Sequence, residues 1–146
     1  MSISGIGYEG LTLDAFISKL RIRGIQTLVD VRLNAISRKR GFSKRALADA
    51  LGHAGIAYVH LPALGNQRDN RAGYGELESD LANEVRDRFR QELQSEAATT
   101  ALQQVADLAQ TGEVVLFCYE QDQQHCHREQ VLEQVRLLMT RDLVKS

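Results

Sequence analysis

Short apolar segments alternate with helical segments along this chain, and this order limits the fold more than any other feature. Patterns typical of strands cover Ile3 to Tyr8, Thr27 to Val31, Ala57 to Leu61 and Val114 to Cys118. Amphipathic helical patterns follow Thr12 and Ser43, and a last helix starts at about His127. Such alternation predicts parallel strands joined by right-handed crossovers. We therefore predict an α/β fold: a three-layer sandwich with a mostly parallel sheet of about four strands and helices on both faces.

A long helical stretch at about residues 76–111 interrupts this alternation. Its apolar residues recur every four positions, at Leu77, Leu81, Val85, Phe89 and Leu93. A break near Ser95 separates it from a second helix that ends at Gly112. Because 146 residues suit one core, we predict a single α/β domain over 1–146 with this helical insertion. The apolar stripe is expected to cover the sheet, and its length leaves room for a dimer contact, so we expect a monomer or a homodimer.

Composition and charge exclude several classes of protein. Lys and Arg number 18 against 19 Asp and Glu, so the net charge of -1 argues against a wholesale nucleic-acid-binding coat but leaves room for a local basic patch. No apolar run approaches the roughly 18 residues that a membrane span needs, and we expect no membrane partner. The first residues lack the pattern of a signal peptide, which predicts a cytoplasmic location.

Polar side chains follow every predicted strand where it ends. They are Tyr8, Glu9, Asp30, Arg32, His60, Cys118 and Glu120. Since ligands of open α/β sheets bind beyond the carboxyl ends of the strands, we expect a pocket at this edge. Two of these residues also have a purely structural explanation: Asp30 could hold Arg32 in an ion pair, and His60 could be a satisfied histidine near a strand end.

The segment after the second strand, DVRLNAISRKRGFSKR, is the most basic part of the chain. Guanidinium groups such as those of Arg32 and Arg38 grip phosphate through paired hydrogen bonds. Ser43 is expected to begin a helix, whose free backbone N–H groups also favour anions. The segment therefore predicts a phosphate-bearing ligand, either a nucleotide or a nucleic-acid component. A solvated surface loop is the alternative.

The segment CYEQDQQHCHR holds the best candidates for chemistry. Cys126 is expected at the start of the last helix, flanked by His127 and Arg128. A helix N-terminus and nearby cations lower the pKa of a thiol, which makes Cys126 the candidate nucleophile. Glu120 is a candidate acid, base or orienting group.

Three other interpretations of these cysteines stay open. Zinc binding by Cys118, His125, Cys126 and His127 is disfavoured, because adjacent ligands cannot all face one ion and the usual C-x2-C spacing is absent. A redox pair of the two cysteines is geometrically feasible across the loop. The third interpretation is two structural thiols. We therefore assign no metal and no cofactor.

Four motifs in order, GIGYEG, DVRLNAISRKRGFSKR, YVHLPALG and CYEQDQQHCHR, carry a family resemblance. The chain resembles the bacterial and archaeal family known as domain of unknown function 488, from Ile6 to about Val131. The resemblance implies an α/β fold and a shared polar site, but no established reaction. One departure is Ala35, where the family typically has a proline, which affects the shape of the basic loop and not its arginines.

The leading hypothesis is an anion-receptive pocket that binds a phosphate-bearing small molecule or nucleic acid, with Cys- and His-assisted chemistry. The expected ligand-binding residues are Tyr8, Glu9, Asp30, Arg32, Arg38, His60 and Arg128, and the expected catalytic residues are Cys126, His127 and Glu120. The alternative is a non-enzymatic nucleic-acid-binding or regulatory module that uses the basic segment 32–45. The sequence leaves open whether the protein is an enzyme.

Overall fold

A computed structural model describes the backbone of residues 2–145 and the side chains up to residue 142. Its sheet has four strands, all parallel, in the order β1-β4-β2-β3. The strands are β1 (Ser2–Gly7), β2 (Thr27–Asp30), β3 (Ala57–His60) and β4 (Glu113–Cys118). The predicted α/β class and the four-stranded parallel sheet are confirmed.

Five α-helices connect and follow these strands. They are α1 (Leu13–Ile22), α2 (Lys44–His53), α3 (Asp80–Glu92), α4 (Glu96–Thr111) and α5 (Arg128–Lys145). Short 3-10 turns lie at Pro62–Leu64, Arg68–Asn70, Ala72–Gly75 and Gln123–His125. None of the helices within the described residues is both long and apolar enough to cross a membrane.

Serine and threonine hydroxyls define where several helices begin. Thr12 Oγ1 accepts a hydrogen bond from the backbone N–H of Ala15, and Ser95 Oγ accepts one from Ala98. The predicted break near Ser95 is confirmed, because this residue caps α4 directly after α3 ends.

Two cores on opposite faces of the sheet give the three layers. On one face, Phe16 and Leu20 of α1 and Leu47 of α2 pack against Val115 and Phe117 of β4. On the other face, residues of α3, α4 and α5 pack against Val114 and Leu116 of the same strand. Successive side chains of a strand point to opposite faces, so a central strand covered on both sides is apolar throughout. This explains the uninterrupted apolar run in β4 and confirms helices on both faces.

The apolar stripe of the helical insertion divides into two parts. Val85, Phe89 and Leu93 are buried, as expected of residues that cover the core. Leu77 and Leu81, in contrast, are 48% and 45% exposed. The expectation that the whole stripe covers the sheet is wrong for these two leucines. Leu77 precedes the helix, which begins only after Ser79, and the first half of α3 packs on the 72–75 turn instead of the sheet.

Glycines in β1 let the chain after β4 pass close to the sheet. A Cβ atom built on Gly7 would lie 1.8 Å from the backbone oxygen of Glu120, and one on Gly5 would lie 2.2 Å from Gln123 Oε1. Any larger residue at position 7 would push the segment 119–125 away from the strand. These glycines therefore position the residues that follow β4.

The substitution Gly7→Ala is expected to lower the free energy of unfolding by about 1–3 kcal/mol, because backbone has to move to admit the methyl group. Gly52→Ala is the matched control. It lies inside α2 with nothing within 4 Å of the position that its methyl group would take, and alanine is favoured over glycine in a helix by about 1 kcal/mol. Urea denaturation measures the free energy of unfolding of both variants. A Gly7→Ala protein as stable as the wild type would contradict the close packing of the Glu120 backbone against Gly7.

Candidate functional site

The ends of the four strands meet at one edge of the sheet. Gly7 lies opposite Cys118, and Asp30 lies between Phe117 and His60. A cavity of about 150 Å³ opens at this edge. It is lined by Tyr8, Arg32, Asn34, Ile36, Asn66, Arg71, Tyr74, Cys118, Tyr119, Glu120, His125, Cys126 and His127. Arg32 and Cys126, which are 94 positions apart in the chain, thus border the same cavity.

A buried ion pair between Asp30 and Arg32 forms one wall of the site. Arg32 Nε donates to Asp30 Oδ1 at 2.9 Å, and Arg32 Nη2 donates to Asp30 Oδ2 at 2.7 Å. The hydroxyl of Tyr58 donates to the same carboxylate at 2.6 Å. Asp30 is fully buried and faces Arg32 and Tyr58, so its observed role is to hold the arginine.

Arg32 is fixed on its remaining sides as well. Its Nη1 donates to the carbonyl of Phe42 at 2.7 Å, and its guanidinium carbon lies 4.8 Å from the ring centre of Phe117. Burial opposes the charge on Arg32, but the hydrogen bonds and charge of Asp30 outweigh it and raise the pKa of Arg32. Arg32 is therefore a rigid hydrogen-bond donor at the cavity wall whose charge is already paired.

Two thiols and an imidazole meet on the opposite wall. The donor atoms of Cys118, Cys126 and His127 all lie within 4.8 Å of one another, and all three residues are buried. Cys126 Sγ is 3.7 Å from His127 Nδ1, and Cys118 Sγ is 3.6 Å from Glu120 Oε2. The other ring nitrogen of His127, Nε2, lies 2.9 Å from the carbonyl oxygen of Val31 and donates to it. We refer to Cys118, Cys126 and His127 as the thiol–imidazole cluster.

The two thiols differ in acidity, in the opposite sense to the sequence-based expectation. The hydrogen bond from Cys126, together with the nearby His127, lowers the pKa of Cys118 well below its ordinary value. Burial and the adjacent Cys118 raise the pKa of Cys126 well above its ordinary value. The expected lowering at Cys126 is therefore wrong. The physical reason is that Cys126 precedes the first turn of α5, which begins at Arg128, and is buried against the other sulfur.

The charge of Cys118 also shifts the pKa values of His127 and Glu120. Burial favours neutral His127, but the charge of Cys118 and the hydrogen bond to the Val31 carbonyl outweigh it and raise the pKa of His127. Burial, assisted by the charge of Cys118, raises the pKa of Glu120. The cluster therefore concentrates groups whose protonation depends on one another.

The remaining predicted residues occupy different surroundings. Tyr8 lines the cavity and stacks on Phe42 with ring centres 4.5 Å apart. Glu9 Oε1 accepts a hydrogen bond from the backbone N–H of Gln121, and His60 Nε2 donates to the Arg32 carbonyl at 2.8 Å. Neither Glu9 nor His60 lines the cavity. Both hold the loops that form it.

Arg128 lies behind the cluster, outside the cavity lining. It is almost fully buried, and its Nε donates to Gln123 Oε1 at 2.5 Å while its Nη2 donates to the Gln121 carbonyl at 3.3 Å. Within the described part of the chain, its Nη1 has no hydrogen-bond partner and its charge has no carboxylate partner. Its positive charge acts to lower the pKa of Cys126, against the stronger effect of burial.

The basic loop folds back onto the start of α2. Ser43 makes no capping hydrogen bond. Its hydroxyl instead accepts from the N–H of Ser37 and donates to the Ser37 carbonyl. The N–H of Lys44, the first residue of the helix, donates to the carbonyl of Ala35 at 2.8 Å. Arg38 is exposed and does not line the cavity, so the structure does not bring it to Arg32 and Cys126.

Several cavity residues lie in a segment that the sequence patterns did not single out. Asn66, Arg71 and Tyr74 come from the irregular segment with short 3-10 turns after β3, and Asn34 comes from the loop after β2. A signal was present, because GNQRDNRAGYG is a polar, glycine-rich stretch that begins soon after the predicted strand that ends at Leu61.

Comparison with known protein families identifies one matching family. The sequence model of the family described as Domain of unknown function DUF488 matches residues 12–135, most of the chain. Searches of curated proteins and of solved structures found no match.

Breaking the buried ion pair is expected to destabilise the fold strongly. Asp30→Asn leaves Arg32 buried without its counter-charge, and we expect the free energy of unfolding to fall by about 3–5 kcal/mol. The matched control is Asp69→Asn, which breaks an exposed pair with Arg88 and is expected to change stability little. Chemical denaturation compares the two, and equal effects contradict a structural role for Asp30.

Proposed function

The chain belongs to the DUF488 family, described only as a domain of unknown function, and we propose that it binds a small phosphate-bearing molecule in the carboxyl-edge cavity. The groups that act on this molecule are Cys126, His127 and Glu120. One observation carries the proposal: a single cavity is bordered by two arginines and by the thiol–imidazole cluster.

Arg71 is the cation best placed to bind the phosphate. Its Nε and Nη2 both donate to the carbonyl of Asn66, at 3.2 and 3.1 Å, which holds the guanidinium in one orientation. No carboxylate of the described residues pairs with it, and it is exposed. A guanidinium with a free charge and a fixed plane suits bidentate binding of phosphate.

Arg32 contributes hydrogen bonds more than charge. Each of its Nη atoms carries a second N–H beyond the bonds to Asp30 and Phe42. Since Asp30 already balances its charge, Arg32 supports orientation of the ligand, and Arg71 supplies the net attraction.

The size of the cavity indicates which part of a ligand enters it. A volume of about 150 Å³ is below the roughly 300–1,000 Å³ of pockets that enclose a whole drug-sized molecule. The cavity therefore suits a phosphate group with the atoms next to it. Tyr119, half-exposed on the cavity lining, offers an aromatic face to the remainder, which fits a nucleotide or a nucleic-acid component.

The chemistry in this proposal is acid–base hydrolysis. Cys126, His127 and Glu120 border the cavity together with Arg71, so a bound phosphate lies beside groups able to move protons. This arrangement favours hydrolysis over hydride transfer, for which the sequence lacks a convincing dinucleotide-binding loop.

The substitution Arg71→Ala is expected to weaken binding of inorganic pyrophosphate and of a nucleoside monophosphate by about tenfold to a hundredfold, the loss typical of charge-assisted hydrogen bonds. Arg68→Ala is the matched control, because Arg68 is exposed in the same segment but does not line the cavity. Isothermal titration calorimetry at low salt measures the affinity of the wild type and of both variants for these two ligands. Absence of binding by the wild type, or equal losses in both variants, overturns the proposal.

A second candidate function rests on the exposed basic surface. Arg38, Arg40, Lys44 and Arg45 are exposed, and no carboxylate of the described residues pairs with them. Such a surface suits binding to a nucleic-acid backbone by a non-enzymatic or regulatory module.

Filter binding of single-stranded RNA and duplex DNA across a salt series tests this second candidate. Charge reversal at Arg40 and Arg45 is expected to abolish retention at low salt. Reversal at Lys19 and Arg21, which are exposed on α1, is expected to weaken retention much less. If neither nucleic acid is retained at low salt by the wild-type protein, the surface is not a nucleic-acid interface.

A further inference from the structure

The three donor atoms of the thiol–imidazole cluster have the spacing that a tetrahedral zinc ion requires. Zinc binds thiolate sulfur at about 2.3 Å and imidazole nitrogen at about 2.0–2.1 Å, which separates tetrahedral donors by roughly 3.5–3.8 Å. Cys126 Sγ and His127 Nδ1 are 3.7 Å apart, and the three donors lie within 4.8 Å of one another.

The hydrogen bond of His127 selects the ring nitrogen that a metal needs. Nε2 donates its proton to the carbonyl oxygen of Val31 at 2.9 Å. In a neutral imidazole the other nitrogen, Nδ1, then carries the lone pair, and this is the atom that faces Cys126. Histidines that bind metals almost always donate their other N–H to a carbonyl or carboxylate in this way.

Adjacency of two ligands in the sequence is no obstacle in this fold. The objection to zinc was that neighbouring residues cannot face one ion, but the donor atoms of Cys126 and His127 do converge. His125, in contrast, turns its Nδ1 towards Asp122, 3.6 Å away, and stands outside the group of three. The set is therefore Cys118, Cys126 and His127.

The chemistry of the donors indicates the class of metal. Two sulfurs and one imidazole suit zinc and disfavour magnesium and calcium, which take oxygen ligands. From these contacts we propose that the thiol–imidazole cluster is a zinc site with three protein ligands and one open position.

The open position borders the cavity, because all three ligands line it. Glu120 is 3.6 Å from Cys118 Sγ without belonging to the group of three donors. In this proposal the fourth position takes a water molecule or an atom of a ligand. With zinc bound, Cys118, Cys126 and His127 serve as ligands. The roles proposed above for Cys126 and His127 then apply to the metal-free protein, and Glu120 keeps its role in both forms. This inference goes beyond the proposed function and does not depend on a phosphate ligand.

Cobalt titration of the metal-free, reduced protein tests the site. We expect one equivalent of Co²⁺ to produce a thiolate-to-cobalt charge-transfer band and tetrahedral visible bands, and one equivalent of Zn²⁺ to abolish both. Cys118→Ser and Cys126→Ser are expected to lose most of the charge-transfer intensity, and His125→Asn, the matched control, to retain it. A wild-type protein without the charge-transfer band, or cysteine variants with an undiminished band, overturns the proposal.

A second measurement needs no buried substitution and therefore stands even if the serine variants do not fold. Zinc is expected to protect both cysteines of the wild-type protein from alkylation, counted by mass spectrometry, and EDTA to restore the reaction. Equal alkylation with and without zinc overturns the proposal. Pyrophosphate binding by the metal-free protein is measured separately, so failure of the metal site and failure of the phosphate site are distinguishable.

Discussion

Parallel pairing of β1, β4 and β2 is the constraint on which the site depends. Because all strands run in one direction, their carboxyl ends reach the same edge, with Gly7 opposite Cys118 and Asp30 opposite Phe117. The segment after β4 packs closely against that edge. Farther along the chain, His127 Nε2 donates a hydrogen bond to the carbonyl of Val31, 96 positions away. Residues that are remote in sequence thereby share one small cavity.

Burial decides what each charged residue at this edge can do. Asp30 and Arg32 are both buried and form an ion pair with each other, so the main role of this pair is structural. Removing one partner would leave the other charge buried and unpaired, which would lower the free energy of unfolding. Arg71 is exposed and has a carbonyl partner in place of a carboxylate. Its charge is therefore free to attract an anionic ligand, which makes Arg71 a better candidate than Arg32 for binding that ligand.

The sequence was sufficient for the fold and for the edge where the cavity lies. Strand and helix periodicity predicted the parallel sheet, and the polar residues after each strand predicted a pocket there. The acidity of Cys126 could not be predicted, because burial and the second sulfur, rather than a helix N-terminus, set its pKa. Arg71 was missed since the irregular segment between two short 3-10 turns has no periodic pattern. Ser43 precedes α2 as expected, although its hydroxyl binds Ser37 instead of the N–H groups of the helix.

The central claim is that the sheet edge brings two sulfur atoms and one imidazole to a single point beside a polar cavity. X-ray absorption at the zinc edge of the zinc-loaded protein measures the atoms bound directly to the metal. The account predicts two sulfurs at about 2.3 Å and nitrogen or oxygen at about 2.0–2.1 Å, with an imidazole contribution. Zinc surrounded by nitrogen and oxygen alone, or by a single sulfur, would contradict it.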